Sequence, residues 1–235
     1  MEIKGFQEMS LLDWPGKTCA ILFLNHCNFR CPYCHNAELA TGIESQNIQP
    51  YYIVSRLHER REWIDGIVIS GGEPLLNRDL PEFCRTLKAH LDIGIKLDTN
   101  GSNPHLLKIL LRENLIDRIS MDIKAPLEDE AYTRVSRANI SVSAIEESIN
   151  LIVDSINVSH EFRTTVCPSL LSESEIARIA NELSCLGVQE YTLQNFRSTK
   201  VLDPSFKEVP YSYDTLNRLK SKIVDQCKIR KINIR

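Results

Sequence analysis

Short apolar runs alternate with amphipathic segments along the whole of this 235-residue chain. Six runs are continuously apolar or nearly so, which is typical of parallel strands that are covered on both faces. They span residues 19–25, 66–70, 93–99, 118–123, 161–166 and 190–195. Helical patterns separate them, so the chain is predicted to contain about six β–α units in series.

Capping signals mark the starts of several predicted helices. Asn103 opens one of them, and S-x-x-E capping boxes are predicted at Ser143 with Glu146 and at Ser172 with Glu175. Serial β–α units imply a parallel sheet with right-handed crossovers. Six units are fewer than the eight of a closed barrel.

The predicted fold class is therefore α/β, with a partial (β/α)6 TIM-like barrel as first choice and a doubly wound sheet as the alternative. No linker or low-complexity segment interrupts the series, so residues 1–235 are predicted to form a single domain. Either architecture puts ligand chemistry at the carboxyl ends of the strands.

Composition and charge narrow the class further. Apolar residues make up 43% and charged residues 25%, which is ordinary for a globular protein, and the net charge of −3 gives no basic footprint for nucleic acid. The chain does not begin like a signal peptide, and its longest apolar runs, such as residues 20–24, are too short to span a bilayer. We expect a cytoplasmic protein with neither nucleic-acid nor membrane partners.

Three cysteines form the strongest chemical motif. Cys27, Cys31 and Cys34 follow the first predicted strand in a loop over residues 26–36, with the spacing C-x3-C-x2-C. A [4Fe–4S] cluster normally takes four cysteines, so three leave one iron without a protein ligand. An open coordination position is what a catalytic metal needs to bind substrate.

Two other interpretations of this loop remain open. Structural zinc on the three cysteines and His35 is one, although adjacent ligands are awkward for a closed site. Three buried thiols are the other, although the polar residues around them do not suit a core strand. The remaining cysteines are scattered, and we expect buried structural thiols there: Cys19, Cys84, Cys167, Cys185 and Cys227.

The cysteine spacing, with Tyr33 before the last cysteine, resembles the signature of the radical S-adenosylmethionine superfamily. Residues 10–17 together with residues 27–39 are similar to the activating proteins of glycyl-radical enzymes, most of all to the activating protein of anaerobic ribonucleoside-triphosphate reductase. This resemblance extends from Met1 to the sixth predicted strand. It implies a single [4Fe–4S] cluster, S-adenosylmethionine as cofactor, a flavodoxin or ferredoxin-type reductant, and a glycyl radical formed on a partner enzyme.

The second predicted strand ends in a glycine pair followed by an acid. Gly71 and Gly72 allow a close backbone approach to a ligand, and Glu73 can accept from an ammonium group. The resemblance implies that this segment binds the amino group of S-adenosylmethionine. It also places Tyr33 over the adenine, and aromatic faces suit flat bases.

Charged residues end the third and fourth predicted strands. Asp122 and Lys124 flank Ile123, so both point the same way. The resemblance implies that Lys124 meets the carboxylate of the cofactor, and that Asp98, Thr99 and Asp122 help bind a monovalent cation beside it. The next pair, Asn100 with Gly101, is predicted as a turn.

The last two predicted strands each carry one polar candidate. Arg163 is unusual in a strand built for burial and suits a carboxylate or ribose contact. Gln194 is placed similarly and is predicted to contact the cofactor. Trp14 precedes the first predicted strand, and we expect it to rim the barrel mouth as an anchor for the partner; a plug at the lower face is the alternative.

The resemblance implies a radical enzyme that reductively cleaves S-adenosylmethionine and generates a glycyl radical on a partner. The runner-up is a radical enzyme acting on a small molecule, such as a 7-carboxy-7-deazaguanine synthase, although the Gln-x-Glu-Gly usual in that family is absent. An electron-carrying or zinc-stabilised binding protein is the non-enzymatic alternative.

Overall fold

A computed structural model describes residues 1–43 and 47–235 of the chain. Its strands form a single eight-stranded sheet in which each strand pairs with its neighbours in chain order. The strands are β1 (Ile3–Ser10), β2 (Cys19–Leu24), β3 (Gly66–Gly71), β4 (Gly94–Thr99), β5 (Arg118–Asp122), β6 (Ser159–Val166), β7 (Glu190–Asn195) and β8 (Lys231–Ile234). Strands β2 to β8 are parallel, and β1 is antiparallel to β2.

Helices connect most of the successive parallel strands. They are α1 (Ala37–Thr41), α2 (Pro50–Glu59), α3 (Leu80–His90), α4 (Pro104–Arg112), α5 (Asp129–Ser136), α6 (Val142–Val153), α7 (Glu173–Cys185) and α8 (Tyr213–Gln226). A short 3-10 helix, Pro74–Leu76, follows β3.

The strand order confirms the partial barrel and excludes the doubly wound sheet, because strand order reverses in a doubly wound fold and runs straight through here. All six predicted strands are present as β2 to β7. Two strands were not predicted. The edge strand β1 mixes polar and apolar residues, and β8 has four residues, so neither gives a continuous apolar run.

One of the two predicted capping boxes is present. Ser172 accepts from the backbone of Glu175, whose side chain accepts in return at the start of α7. The box predicted at Ser143 is wrong, because the N-cap of α6 is Ser141 and the helix begins at Val142, which places Ser143 inside its first turn. The first amide of α6 is instead capped from a neighbouring helix, since Val142 N donates to Asp129 Oδ1 at 2.8 Å.

Apolar side chains between the sheet and the helices form the main core. The interior of the barrel has an apolar side and a polar side. Next to β2 and β3 it holds a small apolar cluster around Trp14, Ile21 and Val68. Next to β4 to β7 it holds buried polar side chains, which include Lys96, Ser120, Glu161, Arg163 and Thr192. Of these, Arg163 lines the site described below.

Trp14 lies at the floor of the barrel. It is 5% exposed. A methyl group added at Gly66 would come within 2.7 Å of its indole, and one added at Gly94 within 2.8 Å. These glycines open β3 and β4, so the indole lies at the amino ends of the strands, opposite the cysteine loop. The predicted partner-binding role of Trp14 at the mouth is therefore wrong, and the alternative of a floor plug is confirmed.

None of the helices in the described part of the chain is long and apolar enough to cross a membrane.

Candidate active site

The predicted site residues come together in one pocket at the carboxyl ends of β2 to β7. Twelve positions were predicted as cluster or cofactor residues, and all twelve line this pocket: Cys27, Cys31, Tyr33, Cys34, Gly71, Gly72, Glu73, Asp98, Asp122, Lys124, Arg163 and Gln194. Thr99, which was predicted only beside the cation, lines it too. Further lining residues include Phe29, His35, Asn36, Ser70, Asn100 and Thr165.

The cysteine loop is held by backbone hydrogen bonds on several sides. Arg30 N donates to Ser136 O at the end of α5 (2.7 Å). The carbonyl of Cys34 accepts from Leu202 N at 2.9 Å, and the carbonyl of Pro32 accepts from Asp203 N at 3.1 Å. The loop is thus clamped between α5 and the segment that joins β7 to α8.

All three thiols lie in a low-dielectric environment. Cys31 is buried, whereas Cys27 and Cys34 are half-buried. Burial raises the pKa of Cys27 to about 12 and raises the pKa of Cys31 and Cys34 as well. Metal coordination deprotonates cysteine thiols. Three such thiols on one loop are therefore a donor set that suits an iron–sulfur cluster.

The zinc alternative is not supported by the position of His35. Its Nδ1 lies 3.0 Å from Thr199 Oγ1 and 3.3 Å from the carbonyl of Lys200, and its ring stacks on Phe196 with 6.0 Å between centroids. Across residues 1–43 and 47–235, no three His, Cys, Asp or Glu side chains converge on one metal-ion position. Each thiolate of a cubane binds a different iron, so its ligands need not converge in this way.

The other five cysteines are not uniformly buried. Cys19, Cys84 and Cys167 are buried as expected, but Cys227 is half-buried and Cys185 is exposed. The expectation of a buried thiol is therefore wrong for Cys185. It lies at the last position of α7.

The two glycines after β3 are required by contacts within the chain. Gly71 has φ of +119°, and a Cβ there would lie 2.3 Å from Leu24 N. A Cβ at Gly72 would lie 1.9 Å from the carbonyl oxygen of His26. We predicted that these glycines let the backbone approach a ligand closely. In the structure, they let the backbone after β3 pack closely against the start of the cysteine loop.

Glu73 ties the end of β3 to the end of β4. Its residue is 1% exposed. Oε1 accepts from Leu75 N at 3.0 Å and from Thr99 Oγ1 at 2.5 Å, and Oε2 accepts from Asn100 N at 2.6 Å. Burial raises its pKa to about 7, and these three donors hold it from rising further. The carboxyl group is therefore fixed in one orientation.

Five charged side chains form a second fixed group in the barrel. Asp98 pairs with Lys96 at 2.5 Å and with Arg163 at 3.3 Å. Asp122 pairs with Arg163 at 2.8 Å and with Lys124 at 3.0 Å. Burial raises the pKa of Asp122, but the two cations more than offset it and lower the value to about 2. Burial likewise opposes the charge of Lys124, yet Asp122 raises its pKa above the usual range.

Two residues in the pocket region were missed by sequence reasoning. Asn100 was predicted only as part of a turn, but its Nδ2 lies 3.8 Å from Cys27 Sγ and donates to Asn28 Oδ1 at 3.0 Å. Lys96 sits inside an apolar strand, and its charge there was the signal that could have drawn attention to it.

The aromatic candidate Tyr33 fits a bound group at the pocket wall. It is 5% exposed, and its buried hydroxyl has no hydrogen-bond partner within residues 1–43 and 47–235. Lys124 Nζ lies 6.0 Å from its ring centroid. A buried, unpartnered hydroxyl beside a cationic side chain and three thiols is consistent with a site built around a bound polar cofactor.

The sequence profile of the Radical SAM superfamily matches residues 21–183. This span contains the cysteine loop and the polar ends of β3 to β6. The partial barrel, the loop and the profile agree on the class of protein: a radical S-adenosylmethionine enzyme.

Similar proteins narrow the family. A protein of Methanocaldococcus jannaschii, provisionally named a glycyl-radical enzyme activating enzyme, is 31% identical over 243 residues, covering 98% of this chain and 96% of that protein. The pyruvate formate-lyase-activating enzyme of Clostridium pasteurianum is 27% identical over 187 residues, covering 76% of this chain and 74% of that enzyme. The chain therefore belongs to the glycyl-radical enzyme activating enzymes of the radical S-adenosylmethionine superfamily.

Solved structures confirm the fold. SuiB of Streptococcus suis, solved bound to S-adenosylmethionine, superposes with a TM-score of 0.70 at 13% sequence identity, over 91% of this chain and 51% of that chain. The family implies that this enzyme uses a [4Fe–4S] cluster and S-adenosylmethionine.

Replacing Cys27, Cys31 or Cys34 by alanine should abolish cluster binding, because a cubane already short of one protein ligand cannot spare another. Iron and sulfide analysis of anaerobically reconstituted protein should give about four of each per chain for the parent and far less for each variant. Cys84→Ala and Cys167→Ala are the controls, since they remove buried thiols that lie outside the cysteine loop. Stoichiometric zinc without iron in the parent would contradict the assignment.

Proposed function

We propose that this chain is the activating enzyme of an anaerobic ribonucleoside-triphosphate reductase and generates the glycyl radical of that partner. The observation that carries the proposal is the convergence of all twelve predicted positions on one pocket at the mouth of the barrel. Similarity to an activating enzyme over 98% of the chain supports it, as does the likeness of residues 10–17 and 27–39 to the ribonucleotide reductase activases. We propose that residues 1–235 act as a single domain.

Cys27, Cys31 and Cys34 would hold the [4Fe–4S] cluster in this proposal. When bound, the cluster supplies one electron to S-adenosylmethionine, which yields methionine and a 5′-deoxyadenosyl radical able to take hydrogen from a glycine Cα. The chain itself then has to orient the cofactor, shield the site from water and admit a segment of the partner. We propose that a flavodoxin or ferredoxin-type protein supplies the electron, in the cytoplasm.

Lys124 is the proposed partner of the cofactor's carboxylate. It faces the pocket beside the cysteine loop, and Asp122 holds its ammonium at 3.0 Å. Its raised pKa keeps the ammonium charged at neutral pH and above it. A fixed cation of this kind pre-orders the site for an anionic group.

Glu73 and the glycine pair would receive the cofactor's amino group. A carboxylate has about four acceptor positions, and three of those on Glu73 are already taken by Leu75, Thr99 and Asn100. One position is left for an ammonium donor. Gly71 and Gly72 line the same wall and present backbone rather than side chains to the ligand.

The remaining candidates would bind the nucleoside portion. Tyr33 would lie against the adenine, with its aromatic face toward the base. Arg163 and Gln194 would contact the ribose or the carboxylate from β6 and β7. Arg163 is already bonded to Asp98 and Asp122, so its guanidinium is held in place before the cofactor arrives.

Lys124→Ala and Glu73→Ala should weaken binding of S-adenosylmethionine while leaving cluster content unchanged. Truncating one partner of a buried charge contact costs about 2–5 kcal/mol, which corresponds to at least a tenfold loss of affinity. Affinity is measured by titrating the absorption spectrum of the cluster-loaded protein with S-adenosylmethionine.

Lys200→Ala is the matched control for Lys124→Ala. Lys200 also forms an ion pair near the pocket, with Glu38 at 2.7 Å, but its side chain is 80% exposed. We expect its loss to leave the affinity unchanged. Parent-like affinity in both site variants would show that the cofactor contacts are misplaced.

The function itself is tested by mixing reduced enzyme, S-adenosylmethionine and anaerobic ribonucleotide reductase. We expect a doublet radical signal on the partner by electron paramagnetic resonance, with 5′-deoxyadenosine formed alongside. A matched partner whose radical-bearing glycine is changed to alanine should give no signal. If no glycyl-radical protein responds and a small molecule stimulates turnover instead, the runner-up enzyme class replaces this proposal.

A further inference from the structure

Lys96 places a positive charge inside the barrel that the proposed function does not use. The residue is 1% exposed and lies in the middle of β4, on the same side of the strand as Asp98. Its neighbours Ile95 and Leu97 point the other way, into the apolar core. A buried ammonium is tolerated only when it is paired, and here Nζ lies 2.5 Å from Asp98 Oδ1.

The family resemblance predicts a monovalent cation at Asp98, Thr99 and Asp122. The ammonium of Lys96 pairs with the first of these residues, Asp98. The donor atoms at these positions do not fit such an ion. Thr99 Oγ1 donates to Glu73 Oε1 at 2.5 Å and accepts from Gly101 N at 3.0 Å. It is therefore committed to contacts within the chain.

Each of the four carboxylate oxygens at these positions already faces a cationic nitrogen. On Asp98, Oδ1 faces Lys96 Nζ and Oδ2 faces Arg163 Nη1. On Asp122, Oδ1 faces Arg163 Nε and Oδ2 faces Lys124 Nζ. Three cationic side chains thus surround two carboxylates, and a bound metal cation would add a fourth positive charge to a group that is already net positive.

Two further carboxylates approach this group, and each has partners of its own. Glu73 accepts three hydrogen bonds from the β3 and β4 ends. Glu161, below the group, accepts from Ser120 at 2.8 Å and faces Arg118 at 3.9 Å and Arg235 at 3.6 Å. Glu161 is thus balanced by two arginines, and the one acceptor position left on Glu73 is the one proposed for the cofactor's ammonium.

We propose that Lys96 is a built-in cation, whose ammonium takes the place of a monovalent metal ion beside Asp98 and makes this enzyme independent of sodium and potassium. Lys96 is then a positioning residue: it fixes Asp98, which fixes Arg163, and Arg163 with Asp122 fixes Lys124 at the pocket wall. The inference rests on the proposed function only for the cofactor's place in this pocket.

The test is binding of rubidium, a potassium analogue, to cluster-loaded protein by equilibrium dialysis at constant ionic strength, with choline as the balancing cation. The parent should show no saturable rubidium binding. Lys96→Met leaves Asp98 Oδ1 without its cation and should gain a stoichiometric rubidium site. Asp98→Asn in the Lys96→Met background should abolish that site, and Lys96→Arg, which keeps the charge, should not gain one.

Lys88→Met is the matched control. It removes a lysine paired with Asp117 at 2.6 Å outside the barrel, and it should bind no rubidium. Saturable binding to the parent would overturn the inference, and this measurement needs no variant to fold. A folded Lys96→Met protein that binds no rubidium would overturn it too. Failure of the proposed function would appear in partner activation, which the dialysis does not involve.

Discussion

Buried charge that must be paired is the constraint on which this site depends. The half of the barrel under β4 to β7 is polar, so each ionised side chain there needs a partner of opposite charge. Asp98 and Asp122 supply those partners, and each is shared between two cations. Because neither acid can move without leaving a cation unpaired, the network fixes the positions of Arg163 and Lys124. A rigid wall of this kind lowers the reorganisation needed when a charged cofactor binds.

A second set of contacts, made of hydrogen bonds and not of ion pairs, joins the cysteine loop to the same wall. Gly72 allows the end of β3 to pass against the backbone of His26. Glu73 then reaches β4, and its acceptor oxygen fixes the amide of Asn100, whose side chain lies beside Cys27. The metal-binding loop and the charged wall are therefore parts of one connected structure, although its residues lie on or just after five different strands, β2 to β6. Replacing either glycine would push these two parts away from each other.

Much of the fold was predictable, because continuous apolar runs mark the buried parallel strands and polar residues mark their carboxyl ends. The same logic failed where burial is less regular. The edge strand β1 carries a mixed pattern, and β8 is too short to show one. The position of Trp14 was predicted wrongly because a sequence gives no direct sign of which end of a barrel a loop covers. Only the glycines that open β3 and β4, far along the chain, make room for it.

The candidate site was predictable residue by residue but its internal pairing was not. Motif spacing and resemblance identified the twelve pocket positions. They did not show that Arg163 forms ion pairs with both Asp98 and Asp122, or that Lys96 forms a further ion pair with Asp98. Such contacts join residues that are far apart in the chain, and local patterns carry no information about them. Asn100 was missed for a related reason, since its turn position masks its contact with Cys27.

The central claim is that this enzyme takes hydrogen from a glycine of a partner protein, and isotope transfer tests it most directly. Anaerobic ribonucleotide reductase is prepared with deuterium at the Cα of its glycines and incubated with the reduced enzyme and S-adenosylmethionine. Mass spectrometry of the 5′-deoxyadenosine should then show deuterium at the 5′ carbon, in step with the glycyl radical on the partner. Abundant 5′-deoxyadenosine that contains no deuterium would contradict the account.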